Sequence, residues 1–232
     1  LTIAAVIDYE TTGTQEDEAA EIIEFGRTDV DISKRTIVDD WQSFARPRCP
    51  IPAMTKAVHH ITEADVADAP DARELWGDFI ENDPPSYLVA HNARFEQHFT
   101  PDFGIPWICT YKVARIVWPD APGHSNQVLR YWLGLDVDPV RADPPHHALP
   151  DSYVTACLFI ELMKHKTPAE MVEISKYPAL LKAMNFGKYY GQGMTFEQCA
   201  RDDPSYLEWI RDKSDMNEDA KFSALYWLRK RT

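Results

Sequence analysis

Basic residues are the scarce class in this sequence, with 24 Lys+Arg set against 37 Asp+Glu for a formal net charge of −13. Phosphate binding draws largely on Lys and Arg, so this balance argues against a general nucleic-acid coat protein, though not against an enzyme that grips one strand end. Long apolar runs are missing too. A membrane span needs roughly 20 apolar residues, and the longest runs here are strand-sized, such as Ile3 to Ile7, so no membrane partner is expected. Leu1-Thr2-Ile3 carries no basic n-region and no cleavage site; it reads as a first strand and not as a signal peptide, and a cytoplasmic location is expected. Cys49, Cys109, Cys157 and Cys199 lack the paired spacing of a zinc site or a small disulfide scaffold and read as reduced thiols. Neither an internal repeat nor a low-complexity tract is visible.

A hydrophobic content of 44% is ample for one large domain, or one medium domain with an appendage. The runs at 2–8, 22–32 and 37–44 read as three successive strands, an antiparallel meander, while 75–80 and 113–118 show helical spacing. Tyr87-Leu88-Val89-Ala90 after Pro84-Pro85 reads as a buried strand with a helix from Ala93 onward, and a long helix is expected from Pro150 to about Lys164 with Asp151 in its first turn. Thr167-Pro168 and Tyr177-Pro178 flank a short helical stretch and mark a linker over 167–179. Beyond it, 186–193 reads as a glycine-rich hairpin, followed by helices at 195–201, 205–212 and 218–230. Charge changes at the same place: residues 180–232 hold 9 Lys+Arg against 8 Asp+Glu, whereas 1–179 hold 15 against 29. The expectation is a mixed α/β domain over 1–166, a linker, and a small α+β module over 180–232.

Three groups of residues suggest chemistry. Asp8 and Glu10 stand two apart on a strand and therefore project from one face. Two anions side by side on a buried strand are costly without a cation, and hard oxygen ligands suit Mg²⁺ or Mn²⁺. Alone, the pair reads equally well as solvated charges at a strand end. The second group is His91-Asn92-Ala93-Arg94-Phe95-Glu96, which a satisfied polar strand end would explain as well. The third, His146-His147-Ala148-Leu149-Pro150-Asp151, also fits an ordinary helix start, since Asp favours the first turn.

Together and in this order, the three resemble the motifs of the DEDDh exonucleases, the DnaQ-like proofreading family with an RNase H-like fold: Asp-x-Glu, His-Asn-Ala-x-Phe-Asp and His-x-x-x-x-Asp. Val58-His59-His60-Ile61-Thr62 resembles a further signature that borders the family's substrate pocket, and the tail from about 180 resembles the C-terminal module of one branch of the family. The resemblance implies an RNase H-like α/β fold, a mixed central sheet flanked by helices. It implies metal ligands at Asp8, Glu10, Glu96 and Asp151, two bound Mg²⁺ or Mn²⁺ ions, and His146 as general base, with His147 matching no catalytic residue. Glu96 departs from the family's aspartate by one methylene, which puts one metal position in question. Thr11, Thr12 and Gly13, with Val58, His59, Asn92 and Phe95, are implied to border the terminal nucleotide; simple core packing is the ordinary alternative for Phe95. Arg94, Lys112 and Arg115 are candidates for phosphate contacts.

The implied activity is 3′→5′ hydrolysis of phosphodiester bonds from DNA 3′ ends, releasing 5′-mononucleotides. Two cations about 4 Å apart stabilise the entering and departing oxygens together, and an imidazole accepts a proton at neutral pH. Two alternatives remain: a catalytically weakened module that binds nucleic-acid ends, and an exoribonuclease with the same catalytic residues, separable only by contacts to the 2′-position. In the tail, Lys188, Tyr189 and Tyr190 either stack on nucleic acid or close a small core.

Overall fold

Alternation of apolar side chains carries the first three strands, β1 (Ile3–Thr11), β2 (Ile22–Asp31) and β3 (Thr36–Phe44), which pair antiparallel in succession in the computed structural model. The structure describes residues 2–184 and 186–231. It divides into two units, Leu1–Ala114 with Ala121–Ser175, and Arg115–Asp120 with Lys176–Thr232. In the first unit, α1 (Ala53–His59) and α2 (Ala72–Trp76) follow β3, and α2 runs on into a π-helical turn at Gly77–Glu81. Next come β4 (Tyr87–Ala90) and α3 (Arg94–Phe99), then β5 (Trp107–Cys109), α4 (Thr110–Val117), which is counted with this unit only through Ala114, α5 (Asn126–Leu133), α6 (Ala148–Leu162) and α7 (Pro168–Ser175). β4 pairs parallel with β1 and β5 parallel with β4, giving the mixed sheet order β3-β2-β1-β4-β5.

The two faces of β1 carry different chemistry. Ala5, Ile7 and Tyr9 join Phe25, Phe79 and Trp76 in an aromatic core, with the Phe25 and Phe79 rings 5.0 Å apart edge to face. The period of two therefore turns Ala4, Val6, Asp8 and Glu10 to the opposite face. There α6 crosses β1 and β2. Thr28, the register partner of Val6, shares a 2.9 Å hydrogen bond with Ser152 of α6. A helix buried around most of its circumference needs apolar residues on every side, and Val154, Ala156, Leu158, Phe159 and Leu162 supply them. No helix among the described residues is long and apolar enough to cross a membrane.

Four local expectations are corrected. The helical spacing at 75–80 is split between α2 and the π-helical turn. α1, α5 and β5 have no counterpart in the sequence reading. The short helical stretch expected within the linker is α7, which belongs to the first unit and has Met171 fully buried, so 168–175 is packed structure and not linker. The expected hairpin at 186–193 is a run of turns: Gly187, Gly191 and Gly193 have φ of 59°, 72° and 68°, which coils the segment where a ladder would need extended backbone. Among the described residues of the second unit the β content is one bridge, Ala183 to Thr195.

That unit otherwise contains α8 (Phe196–Asp202), α9 (Pro204–Asp212) and α10 (Glu218–Arg229). Each starts where its sequence says it should. Thr195 and Gln198 form a capping box, Pro204 occupies the first turn of α9, and Asn217 accepts from the Ala220 N–H. Met184, Phe196, Leu207, Ile210 and Ala224 close a separate core. Tyr189 packs against this core and donates to Asp203 at 2.8 Å, so closing a small core is the reading of that tyrosine that the contacts favour.

Candidate active site

β1 continues past Asp8 to Thr11, so Asp8 and Glu10 lie inside the strand and not at its end, on the face that α6 covers. Asp151 enters from the first turn of α6. One oxygen from each of these three carboxylates lies within 4.8 Å of the others. Crowding and loss of water act in one direction on all of them. Burial, then the charges of Glu96, Asp151, Glu10 and Glu24, push Asp8 well above the usual carboxylate range. Burial, with Asp151 and Glu24, raises Glu10 to about 8. Asp151 is raised by burial, in part offset by the His146 N–H that its Oδ2 accepts at 3.0 Å.

Glu96 stands in the first turn of α3 and is 3% exposed, which excludes a solvated helix-surface acid. Burial raises it to about 8, and Glu10 adds to the shift. Its Oε2 is buried without a hydrogen-bond partner, while its oxygens fall outside the compact trio. A buried carboxylate with an orphaned oxygen beside three others raised in pKa is a donor set suited to a cation. All-oxygen donors of this kind fit a hard divalent ion, so the residues present suit a metal of the Mg²⁺ or Mn²⁺ type.

The sequence reading missed Glu24. It is the register partner of Glu10, fully buried, and its charge acts on both Asp8 and Glu10. The available signal is a lone acid inside the apolar run Ile22-Ile23-Glu24-Phe25. Asn126 and Gln127 at the start of α5 were missed as well: Asn126 Nδ2 donates to the Asp151 carbonyl at 3.2 Å, and Gln127 Nε2 lies 3.5 Å from Asp151 Oδ1.

The two histidines differ sharply. His146 is exposed, adopts the left-handed backbone at φ 62°, and its ring makes no hydrogen bond. His147 is held by Glu24, with Nδ1 at 3.2 Å from the carboxylate. His91 is a structural group: Nδ1 meets Thr110 Oγ1 at 2.9 Å, Nε2 meets the His124 carbonyl at 2.8 Å, and burial lowers its pKa to about 4.

Of the residues expected at the terminal nucleotide, Thr12 is already committed, because its hydroxyl accepts the Glu21 N–H at 2.9 Å and its own N–H donates to the Glu21 carbonyl. Thr11 donates to the Gly13 carbonyl at 2.5 Å. Gly13 cannot carry a side chain without moving its neighbours, since a Cβ would lie 2.9 Å from Asp17 Oδ2. His59 is buried at the end of α1; its Nδ1 accepts the Ile61 N–H at 3.0 Å, leaving Nε2 buried without a partner. Val58 is 49% exposed beside it. Asn92 is exposed at φ 67°, and Phe95 packs partly on the aromatic core, so the ordinary reading of Phe95 holds for one side of the ring. The expected phosphate cations fare less well. Lys112 donates to the Ser175 carbonyl at 2.9 Å, and Arg115 donates to the Leu180 carbonyl within the second unit. Arg94 is exposed next to Phe95 in the chain and remains a candidate.

Comparison with known proteins assigns this arrangement. The family model described as exonuclease, RNase_T, matches residues 5–159. Exodeoxyribonuclease 10 of Escherichia coli strain K12 is 35% identical over 226 residues, covering 96% of this chain and 97% of that protein. Among solved structures, exonuclease X in complex with 5′ overhanging duplex DNA superposes with a TM-score of 0.65 at 35% identity, covering 74% of this chain and 99% of its own. The nuclease domain of 3′hExo, a DEDDh family member bound to rAMP, shares the fold at 20% identity and a TM-score of 0.56, over 70% of this chain and 92% of its own.

Proposed function

The chain belongs to the exonuclease family, and we propose that it is a 3′→5′ exonuclease of the DEDDh kind whose substrate is the 3′ end of a DNA strand, cut by metal-assisted hydrolysis into 5′-mononucleotides. The observation that carries the proposal is the meeting of Asp8, Glu10 and Asp151 within 4.8 Å on the one sheet face where His146 borders the same helix start. DNA is favoured over RNA because the 35%-identical relative is an exodeoxyribonuclease by name and its solved structure is a complex with duplex DNA.

Asp8, Glu10, Asp151 and Glu96 would hold two divalent ions, whose contribution when bound is to offset the charge that builds on the phosphodiester oxygens. The chain's own groups do the rest. His146, free at its ring and on a loop, takes the proton from the attacking water as the water oxygen bonds to phosphorus. The bond from phosphorus to the 3′ oxygen of the preceding nucleotide breaks, and that oxygen regains a proton from solvent. Thr11, Gly13 and Asn92, with Val58, His59 and Phe95, form the seat of the terminal nucleotide. The exposed side of Phe95 offers it an apolar contact, while the buried His59 supports the seat from beneath. Thr12 contributes there by holding the β1–β2 loop and not by touching substrate.

The test is a 5′-labelled DNA oligonucleotide incubated with Mg²⁺ or Mn²⁺, with and without EDTA, beside an RNA of the same sequence. Stepwise shortening from the 3′ end, abolished by EDTA and faster on DNA, is expected. Internal cuts, or activity that survives EDTA, would refute the reaction; faster cutting of RNA would refute the substrate. His146→Ala should lower turnover by roughly two to four orders of magnitude.

A further inference from the structure

Glu24 is a fully buried acid of the cluster, and both of its oxygens are held by protein donors. Its Oε2 accepts the Ala148 N–H at 3.0 Å and lies 3.2 Å from His147 Nδ1, and its Oε1 accepts Gln42 Nε2 at 2.6 Å. Three donors on its two oxygens and no exposed surface commit most of its acceptor capacity to the protein, and it lies outside the compact trio of carboxylates. Ala148 is the first residue of α6, and an unpaired N–H at a helix start attracts a carboxylate both as a hydrogen-bond donor and as the positive end of the helix dipole. His147 side chain and Ala148 backbone thus hang on one buried anion, immediately after His146 and three residues before Asp151.

The backbone around this anchor is fitted closely. Gly26, two residues along β2 on the same face, sits so near α6 that a Cβ there would lie 2.2 Å from the Ala148 carbonyl carbon. His146 occupies the left-handed region that a residue with a Cβ adopts only under constraint, and its own N–H is tied to Asp151 Oδ2. The turn 146–148 is therefore pinned from both sides: forward by Asp151, and downward onto β2 by Glu24.

We propose that Glu24 is a positioning residue of the active site, which through His147 and the Ala148 N–H fixes the turn that presents His146 and the first turn that presents Asp151. His147, which matches no catalytic position of the family, acquires a role as the side-chain half of this clamp. The proposal rests on the reading of His146 and Asp151 given above, and its test separates the two.

Glu24→Gln keeps an acceptor and nearly the same volume but loses the charge; Glu24→Ala removes the anchor, and His147→Ala removes one of its two loop contacts. Partners that orient a catalytic group typically cost 10- to 100-fold on removal, so Glu24→Gln should lower kcat by roughly that factor with KM on the labelled oligonucleotide changed less than about twofold. His147→Ala should show a smaller loss of the same kind, and the double variant should lose no more than Glu24→Gln alone. A merely structural role predicts instead a fall in Tm with kcat per folded molecule unchanged. A second measurement does not depend on activity. In ¹⁵N-edited NMR spectra of the full chain, the neutral His147 ring should carry its proton on Nδ1 in the wild type and lose that preference in Glu24→Gln. Wild-type kcat in Glu24→Gln, or an Nε2–H tautomer of His147 in the wild type, overturns the clamp. If the wild type cuts nothing while the tautomer is as stated, the catalytic reading fails and the anchor stands.

Discussion

Glu96 keeps the charge of the family's aspartate but places it one methylene further from the backbone, and the structure gives it no way to swing into solvent. Asp102, the nearest alternative carboxylate along the chain, is exposed and accepts the Gly104 N–H at 2.9 Å, so it caps a turn. We propose that Glu96 completes the metal shell, with oxygens displaced from the compact trio. Mg²⁺ requires near-ideal octahedral distances, whereas the larger Mn²⁺ tolerates a looser shell. Single-turnover rates should therefore favour Mn²⁺ over Mg²⁺ in the wild type. The ratio should fall in Glu96→Asp, and activity should drop sharply with either ion in Glu96→Ala. An unchanged rate in Glu96→Ala would remove the residue from the shell. His146 and His147 make the complementary point: adjacent residues of one type are divided by what each ring touches, His147 being held through Nδ1 by Glu24 while the His146 ring is exposed.

At the scale of elements, the site depends on how closely α6 approaches β2. Gly26→Ala adds a single carbon at 2.2–2.4 Å from Ala148 and Leu149 backbone atoms, which cannot rotate aside. Overpacking of this kind typically costs about 1–3 kcal/mol, and here it also lifts the helix start that carries Asp151. A lowered Tm together with weaker Mn²⁺ binding by titration is expected; a lowered Tm with unchanged metal affinity would show that the helix moves without disturbing the ligands. Period and punctuation made much of this arrangement legible in advance. β1 to β4, α6 and the three tail helices announce themselves by alternation, by helical spacing and by Pro or capping residues. β5 does not, because Trp107-Ile108-Cys109 is three residues long and its partner β4 is distant in sequence. Asp8, Glu10 and Asp151 were visible as spaced acids and as family motifs. Glu24 was not, since its place beside Glu10 is a property of strand register, and the commitments of Thr12 and Lys112 are tertiary contacts that no local pattern encodes.

For the whole molecule, the cores of the two units imply separable folding, and we propose that the nuclease activity resides in the first. A chain ending near residue 178 should stay folded and retain metal binding by titration, whereas an insoluble product would place the tail in the main fold. The acid excess matters for stability through linkage. In the metal-free protein Glu10 and Glu96 titrate near 8 when folded and near the ordinary 4.5 when unfolded. Between those values the folded state holds protons that the unfolded state has released, so stability is full below about 4.5 and is lost as pH rises toward 8. The buried histidines act with the opposite sign: His91 falls to about 4 and His59 is also lowered, so they add stability as pH rises, but only up to the ordinary histidine range near 6.5. From pH 6.5 to 8 the carboxylates act without that opposition. In EDTA, Tm should therefore fall across this interval, and saturating Mn²⁺ should raise it more at pH 8 than at pH 6.5, because the ion binds the ionised acids. Scanning calorimetry in both conditions measures it. A metal-free Tm that stays level or climbs from 6.5 to 8 would mean that these acids are ionised in the folded state without a cation, and that the buried cluster is stabilised by something other than the metal it is built to hold.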